Sequence, residues 1–193
     1  MNKIVLKTAL LTIAALAVAA LAVFSLWILC SPQTMAGASE RIGNYSFAVT
    51  CAALRYKYTK NANDLARCAE DGILSGKDKY VIEYGEKLVS HEKYAELCAK
   101  KNEQLSQTKY GELAADYNGY ICGHLAAAQY RKGDTAKAVE TAQSGGAGAF
   151  ARLVIAVADK SDKQAAQTVL DALNKDAAQN TENLKNILLQ IIG

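Results

Sequence analysis

The chain has 193 residues, with 22 Lys and Arg against 19 Asp and Glu and a formal charge of +3 at pH 7. Because Lys3 and Lys7 precede every acidic residue, the sequence beyond them is nearly neutral and offers no basic surface for nucleic acid. The single proline, Pro32, lies near the N-terminus, so the long remainder lacks the strongest helix breaker. The composition predicts an all-α protein that does not bind nucleic acid.

Residues 9–30 form an apolar run that only two hydroxyl side chains interrupt. At about 1.5 Å per residue, a helix over this run crosses the ~30 Å hydrocarbon layer of a membrane. Two lysines precede the run, so the positive-inside rule places the N-terminus in the cytoplasm and the rest outside. We therefore expect residues 1–38 to be a membrane-targeting segment, made of this helix and a linker. Residues 39–193 would form an extracytoplasmic domain at the plasma membrane.

Two outcomes stay open for the targeting segment. Ala36-Gly37-Ala38 has the small-x-small form of a signal-peptidase site, and Pro32 breaks the helix before it. Cleavage after Ala38 would release the domain as a secreted protein. The apolar run is longer than the roughly 7 to 15 residues that a cleaved signal contains, which favours a retained single-pass anchor.

Beyond the targeting segment, apolar residues recur at helical spacing between short polar breaks. The breaks lie at residues 60–63, 75–77, 90–91 and 106–108. A further helix over 110–132 ends in Arg131-Lys132-Gly133, and the last helix is expected over 181–192. Breaks of this length join antiparallel neighbours, so the pattern predicts a stack of antiparallel helix hairpins.

The sequence Gly133-Asp134-Thr135-Ala136-Lys137-Ala138-Val139 resembles the inter-helix turn and second-helix start of a tetratricopeptide repeat. Leu125 and Ala126 suit the small, close-packed positions on the first helix of that repeat. The match covers residues 119–152, and weaker echoes occur around Ala66, Ala95 and Ala166 at spacings that vary about the family's ~34 residues. The resemblance implies stacked helix pairs with a concave face that binds peptides.

No residue pattern points to a reaction, a metal or a cofactor. His91 and His124 are the only histidines, and neither lies in a metal-binding or catalytic motif. The glycine-rich stretch 145–148 lacks the Lys-Ser/Thr of a phosphate-binding loop. Cys98 and Cys122 could join the two histidines in a zinc site, but their spacing is not that of a zinc module. We expect a protein that is not an enzyme, and an unrecognised hydrolase is the alternative.

Four cysteines occupy matching positions about two predicted turns. Cys51 and Cys68 flank the turn near residue 60, and Cys98 and Cys122 flank the break near residue 109. Outside the cytosol, cysteines at matching heights on adjoining helices form disulfides. Since all four also fall on or beside apolar rows, buried free thiols are the alternative.

The candidate binding residues are Tyr117, Tyr120, His124 and Arg131, which share a polar-aromatic side of the predicted helix 110–132. Aromatic and arginine side chains are preferred at binding hot spots. Tyrosine packing between helices is the alternative explanation of the same pattern.

These features predict a membrane-anchored, extracytoplasmic protein with tetratricopeptide-like helix pairs. It would bind a protein or peptide at the cell envelope, as an adaptor or assembly factor, without a cofactor. The short signal-like start is typical of bacterial proteins. The alternatives are a secreted domain with a purely structural role or a secreted enzyme.

Overall fold

The computed structural model describes residues 3–104 and 116–146, together with Val154, Gln164, Gln167 and Asp171. Its continuous ranges contain only α-helices and turns, which confirms the predicted all-α class for this part of the chain. The helices are α1 (Lys3–Cys30), α2 (Pro32–Arg41), α3 (Tyr45–Thr59), α4 (Ala62–Leu74), α5 (Asp78–Val89), α6 (Tyr94–Gln104), α7 (Tyr117–Arg131) and α8 (Thr135–Ser144). The predicted break at 106–108 and the predicted last helix at 181–192 lie outside the described residues.

Helix α1 contains the predicted apolar segment. Its stretch Lys7–Trp27 is long and apolar enough to cross a membrane or to serve as a signal, and none of it is buried in the protein. Leu11, for example, is 71% exposed. A helix that is apolar on every side and uncovered by protein needs an apolar environment.

Residues 32–41 form helix α2, where the sequence predicts a linker. Pro32 begins this helix, because a proline in the first turn lacks only an N–H that has no partner there, and its φ suits the helix. The Ser31 N–H still donates to the Trp27 carbonyl at 2.9 Å, so the break between the two helices is very short. Residues 32–38 of the expected linker are therefore helical, because the proline that ends one helix starts the next.

Helix α2 is packed into the domain. Met35 and Ala36 are 7% and 0% exposed and form a buried cluster with Cys51 of α3. The Arg67 Nε on α4 donates to Glu40 Oε1 at 2.6 Å. The boundary that the sequence places between the targeting segment and the domain thus falls inside a packed helix.

Consecutive helices pack in the order α2, α3, α4 and α5, and α7 then follows α5 and packs on α8. Helix α6 lies to the side, where it touches α4 and α7. The chain reverses at Lys60, in the left-handed conformation with φ 51°, and at Gly133 with φ 89°. The helix ends confirm the predicted breaks at 60–63, 75–77 and 90–91 and the predicted stop at Gly133.

A hydrophobic core cluster lies where α4, α5, α6 and α7 meet. Its large buried members are Leu65, Leu88, Leu97, Tyr117 and Ile121. Helices α5 and α7 approach closely at Gly85, where an added Cβ would lie 3.2 Å from the Leu125 Cδ1. Helix α7 is consequently buried over much of its circumference.

Candidate functional site

A polar pocket of about 330 Å³ opens between two inter-helix turns. One wall is the turn from α3 to α4, and the other is the turn from α5 to α6 with the first part of α6. The side chains that give the pocket its polarity are Lys60, Asn61, Asn63, His91, Glu92, Lys93, Glu96 and Lys100. The pocket therefore brings together segments that are some 30 residues apart in the sequence.

Side chains fix the backbone of both walls. Lys60 turns the chain at the end of α3, and Asn61 then caps α4 by accepting the Asn63 N–H at 2.8 Å. Across the pocket, His91 Nδ1 accepts the Lys93 N–H at 3.1 Å. Because Nδ1 accepts this bond, Nε2 carries the proton when His91 is neutral. Hydrogen bonds within the two turns thus hold both walls.

The pocket carries mixed charge. Lys60, Lys93 and Lys100 line it together with Glu92 and Glu96. None of these five side chains takes part in the ion pairs found among the described residues. The N-termini of α4 and α6 border the same space and add partial positive charge. The pocket can therefore receive carboxylates at its lysines and a cationic group at its glutamates.

The predicted binding residues on α7 do not form an open face. Tyr117 is 1% exposed and lies in the core cluster of α4, α5, α6 and α7, so its side chain is not on the surface of the described part of the chain. Tyr120 packs against the same core, and its ring lies 4.9 Å from that of His124 at 72°. Arg131 Nε donates to both oxygens of Asp78 at 3.0 Å. Helices α5, α6 and α8 all contact α7, and on its polar-aromatic side Tyr120 and His124 are partly buried whereas Arg131 is exposed.

The electrostatics of His124 follow from this packing. Burial, and to a smaller extent the positive charge of Arg131, lower the pKa of its imidazole well below the ordinary value. His124 is therefore neutral at pH 7 and does not act as a cationic contact.

Two thiols meet a tyrosine and an asparagine between α6 and α7. The Tyr94 hydroxyl donates to Asn118 Oδ1 at 2.9 Å, and the Cys122 thiol donates to the same oxygen at 3.4 Å. Cys98 also lies beside the Tyr94 hydroxyl. Burial raises the pKa of Cys122 to about 11 and that of Cys98 above its ordinary value. A thiolate is disfavoured at this place, so the cluster does not supply an activated nucleophile.

All four cysteines of the domain are free thiols in the structure. Burial, with the negative charges of Asp71 and Asp64, raises the pKa of Cys68 to about 12, and burial raises that of Cys51. The shared contact with Tyr94 places Cys98 near Cys122. The disulfides Cys51–Cys68 and Cys98–Cys122 stay predictions.

Asp71 is a carboxyl group buried at the contact between α2 and α4, with 3% of its surface exposed. Burial, followed by the negative charge of Glu40, raises its pKa to about 8, against the opposing effect of Arg67. At pH 7 Asp71 is therefore largely protonated. It is not among the residues that line the polar pocket.

No family model matches the sequence, and no curated protein or solved structure is significantly similar to it. The tetratricopeptide resemblance over residues 119–152 stays a prediction. Leu125 and Ala138, which suit that repeat, are buried, whereas Ala95 is exposed. The function has to be derived from the structure of this chain.

Proposed function

We propose that the protein is a single-pass envelope protein whose extracytoplasmic domain binds a polar segment of another protein, as an adaptor or assembly factor. The polar pocket between the α3–α4 and α5–α6 turns is the observation that carries this proposal. Its volume of about 330 Å³ falls within the ~300–1,000 Å³ of ligand pockets. Its charged lining suits a peptide, whose side chains and backbone offer both signs of charge and many hydrogen bonds.

The packing of α2 supports retention of the anchor. The small-x-small sequence Ala36-Gly37-Ala38 lies within this helix, where Ala36 and Ser39 are 0% and 4% exposed. A peptidase binds its substrate in extended form, which a packed helix does not offer. Cleavage after Ala38 would also remove Met35 from its buried position. We therefore propose that α1 stays attached and keeps the domain on the outer face of the membrane, with the released domain as the alternative.

The pocket lysines should provide most of the specificity for acidic groups of the partner. Hydrogen bonds to charged groups contribute about 1.5–3 kcal/mol each, and about 1.4 kcal/mol corresponds to a tenfold change in Kd. Loss of Lys93 and Lys100 together should therefore weaken binding at least about tenfold. Both side chains are exposed, so the stability of the fold should change little.

Site-specific photo-crosslinking in intact cells tests the proposal. A photoreactive residue at Asn63, in the pocket, should capture a defined protein, and the same residue at Lys132, outside it, should not. The Lys93→Ala, Lys100→Ala variant should lose the crosslink, whereas a Lys79→Ala control should keep it. Capture that is equal at both positions, or that survives the loss of both pocket lysines, would contradict a peptide-binding role for the pocket.

A further inference from the structure

The beginning of α3 packs against the last part of α1. The rings of Phe24 and Phe47 are stacked, with centroids 6.5 Å apart and an interplanar angle of 11°. Phe24 lies within the apolar stretch Lys7–Trp27, roughly 9 Å along the helix before the end of α1. Phe47 lies in the first turn of α3, so this contact brings the turn between α2 and α3 close to the membrane-facing part of α1.

This turn presents a large apolar side chain away from the protein. Ile42 is 79% exposed, which exceeds the 71% of Leu11 on the apolar helix itself. Its neighbours Arg41, Gly43 and Asn44 are exposed as well. A single exposed isoleucine is common on protein surfaces, but this one lies beside a helix that requires lipid.

The turn is held in place by its own hydrogen bonds. The Asn44 N–H donates to the Ser39 carbonyl at 2.8 Å, and the Gly43 N–H donates to the Glu40 carbonyl at 3.0 Å. Asn44 Oδ1 accepts the Phe47 N–H at 3.3 Å and caps α3. With α2 and α3 packed on each other, the turn cannot move away from the membrane independently of the domain.

We propose that residues 41–44 insert into the outer headgroup region of the phospholipid bilayer that α1 spans. Ile42 would reach the acyl chains, and the Arg41 guanidinium would bind lipid phosphates, which its planar donors suit. The contact continues the lipid-facing surface of α1. This inference rests on the retained anchor of the proposed function.

Such a contact would set the orientation of the polar pocket. The pocket lies at the C-terminal end of α3 and the lipid-binding turn at its N-terminal end. The helix has 15 residues, so the two sites are roughly 20 Å apart. The turn would hold the domain against the bilayer, and the opposite end of α3 would present the pocket to partners in the extracytoplasmic space.

Fluorescence quenching by brominated lipid tests the insertion. The full-length chain has one tryptophan, Trp27, and is placed in vesicles of phosphatidylcholine brominated on acyl carbons close to the headgroup. In a Trp27→Phe background, Ile42→Trp reports on the turn, and Tyr58→Trp, 71% exposed near the other end of α3, is the matched control. We expect Ile42→Trp to lose as much fluorescence as Trp27 does in the native chain, and Tyr58→Trp to lose none.

Quenching of Trp27 in the native chain tests the membrane anchor separately from the insertion of residues 41–44. If Trp27 is quenched but Ile42→Trp is quenched no more than Tyr58→Trp, the anchor stands and the insertion of the turn is wrong. Quenching of both new tryptophans would also overturn the inference, because α3 would then lie along the membrane surface. An unquenched Trp27 would overturn the anchor and the insertion together.

Discussion

Removal of the first part of α2 should destabilise the domain. A chain of residues 39–193 lacks Met35 and Ala36, which a chain of residues 31–193 retains with 7% and 0% exposure. Burial of a methionine side chain contributes about 1.5–3 kcal/mol, and burial of one methyl group about 0.8 kcal/mol. The longer chain should therefore be more stable by about 3 kcal/mol, a large part of the ~5–15 kcal/mol typical of a domain.

Urea unfolding and thermal melting, both followed by circular dichroism, measure this difference. For a domain of this size, 1 kcal/mol shifts Tm by about 2–4 °C, so the shorter chain should melt roughly 6–12 °C lower. The control is Thr34→Ala in the longer chain, since Thr34 is exposed on the same helix and its replacement should change stability by less than about 0.5 kcal/mol. Equal unfolding midpoints for the two chains would refute the structural role of α2 and would favour cleavage after Ala38.

Other consequences of the structure can be measured in the same chain. Burial raises the pKa of Asp71 from its ordinary 3.8 to about 8. Between these pH values the unfolded chain binds fewer protons than the folded chain, so the stability of the fold falls as pH rises. Asp71→Asn should therefore gain stability over the wild type from pH 4 to pH 8, and parallel urea curves would contradict this. Arg131→Ala should cost about 1 kcal/mol through loss of the two-pronged pair with Asp78, and a double-mutant cycle with no coupling energy would show the pair to be inert. Oxidised glutathione should join Cys98 to Cys122, because both thiols meet the same tyrosine hydroxyl, and peptide mapping that finds another connectivity would exclude this.

Helix positions depend on local signals, which is why the sequence predicts them well. In α4, the predicted row that includes Leu65, Cys68, Ala69 and Gly72 is buried as its spacing requires. The sequence predicts a linker in place of helix α2 for an equally local reason. Pro32 stops a helix that precedes it, but the same residue is favoured at the start of the next one.

The arrangement of the site depends on which helices pack against each other. Local sequence patterns predict single helices and turns, but they do not predict these pairs. Tyr117 has the spacing of a surface residue relative to the apolar stripe of α7, yet it is buried in the core cluster, with Lys101 of α6 over its ring. The polar pocket consists of two ordinary turns, at residues 60–63 and 91–93, each of which predicts only a loop. Packing alone brings them together and leaves their lysines without ion pairs in the described part of the chain.

The mass of the mature chain tests the central claim most directly, namely that α1 stays attached to a domain that works at the membrane surface. The protein is expressed in its own cells, the membrane and soluble fractions are separated, and the intact mass is measured in each. We predict the full chain of about 20.6 kDa in the membrane fraction, with its domain digested by protease added to the outside of wall-stripped cells. A soluble product that begins at Ser39, or a domain that resists the protease until the membrane is opened, would contradict this claim.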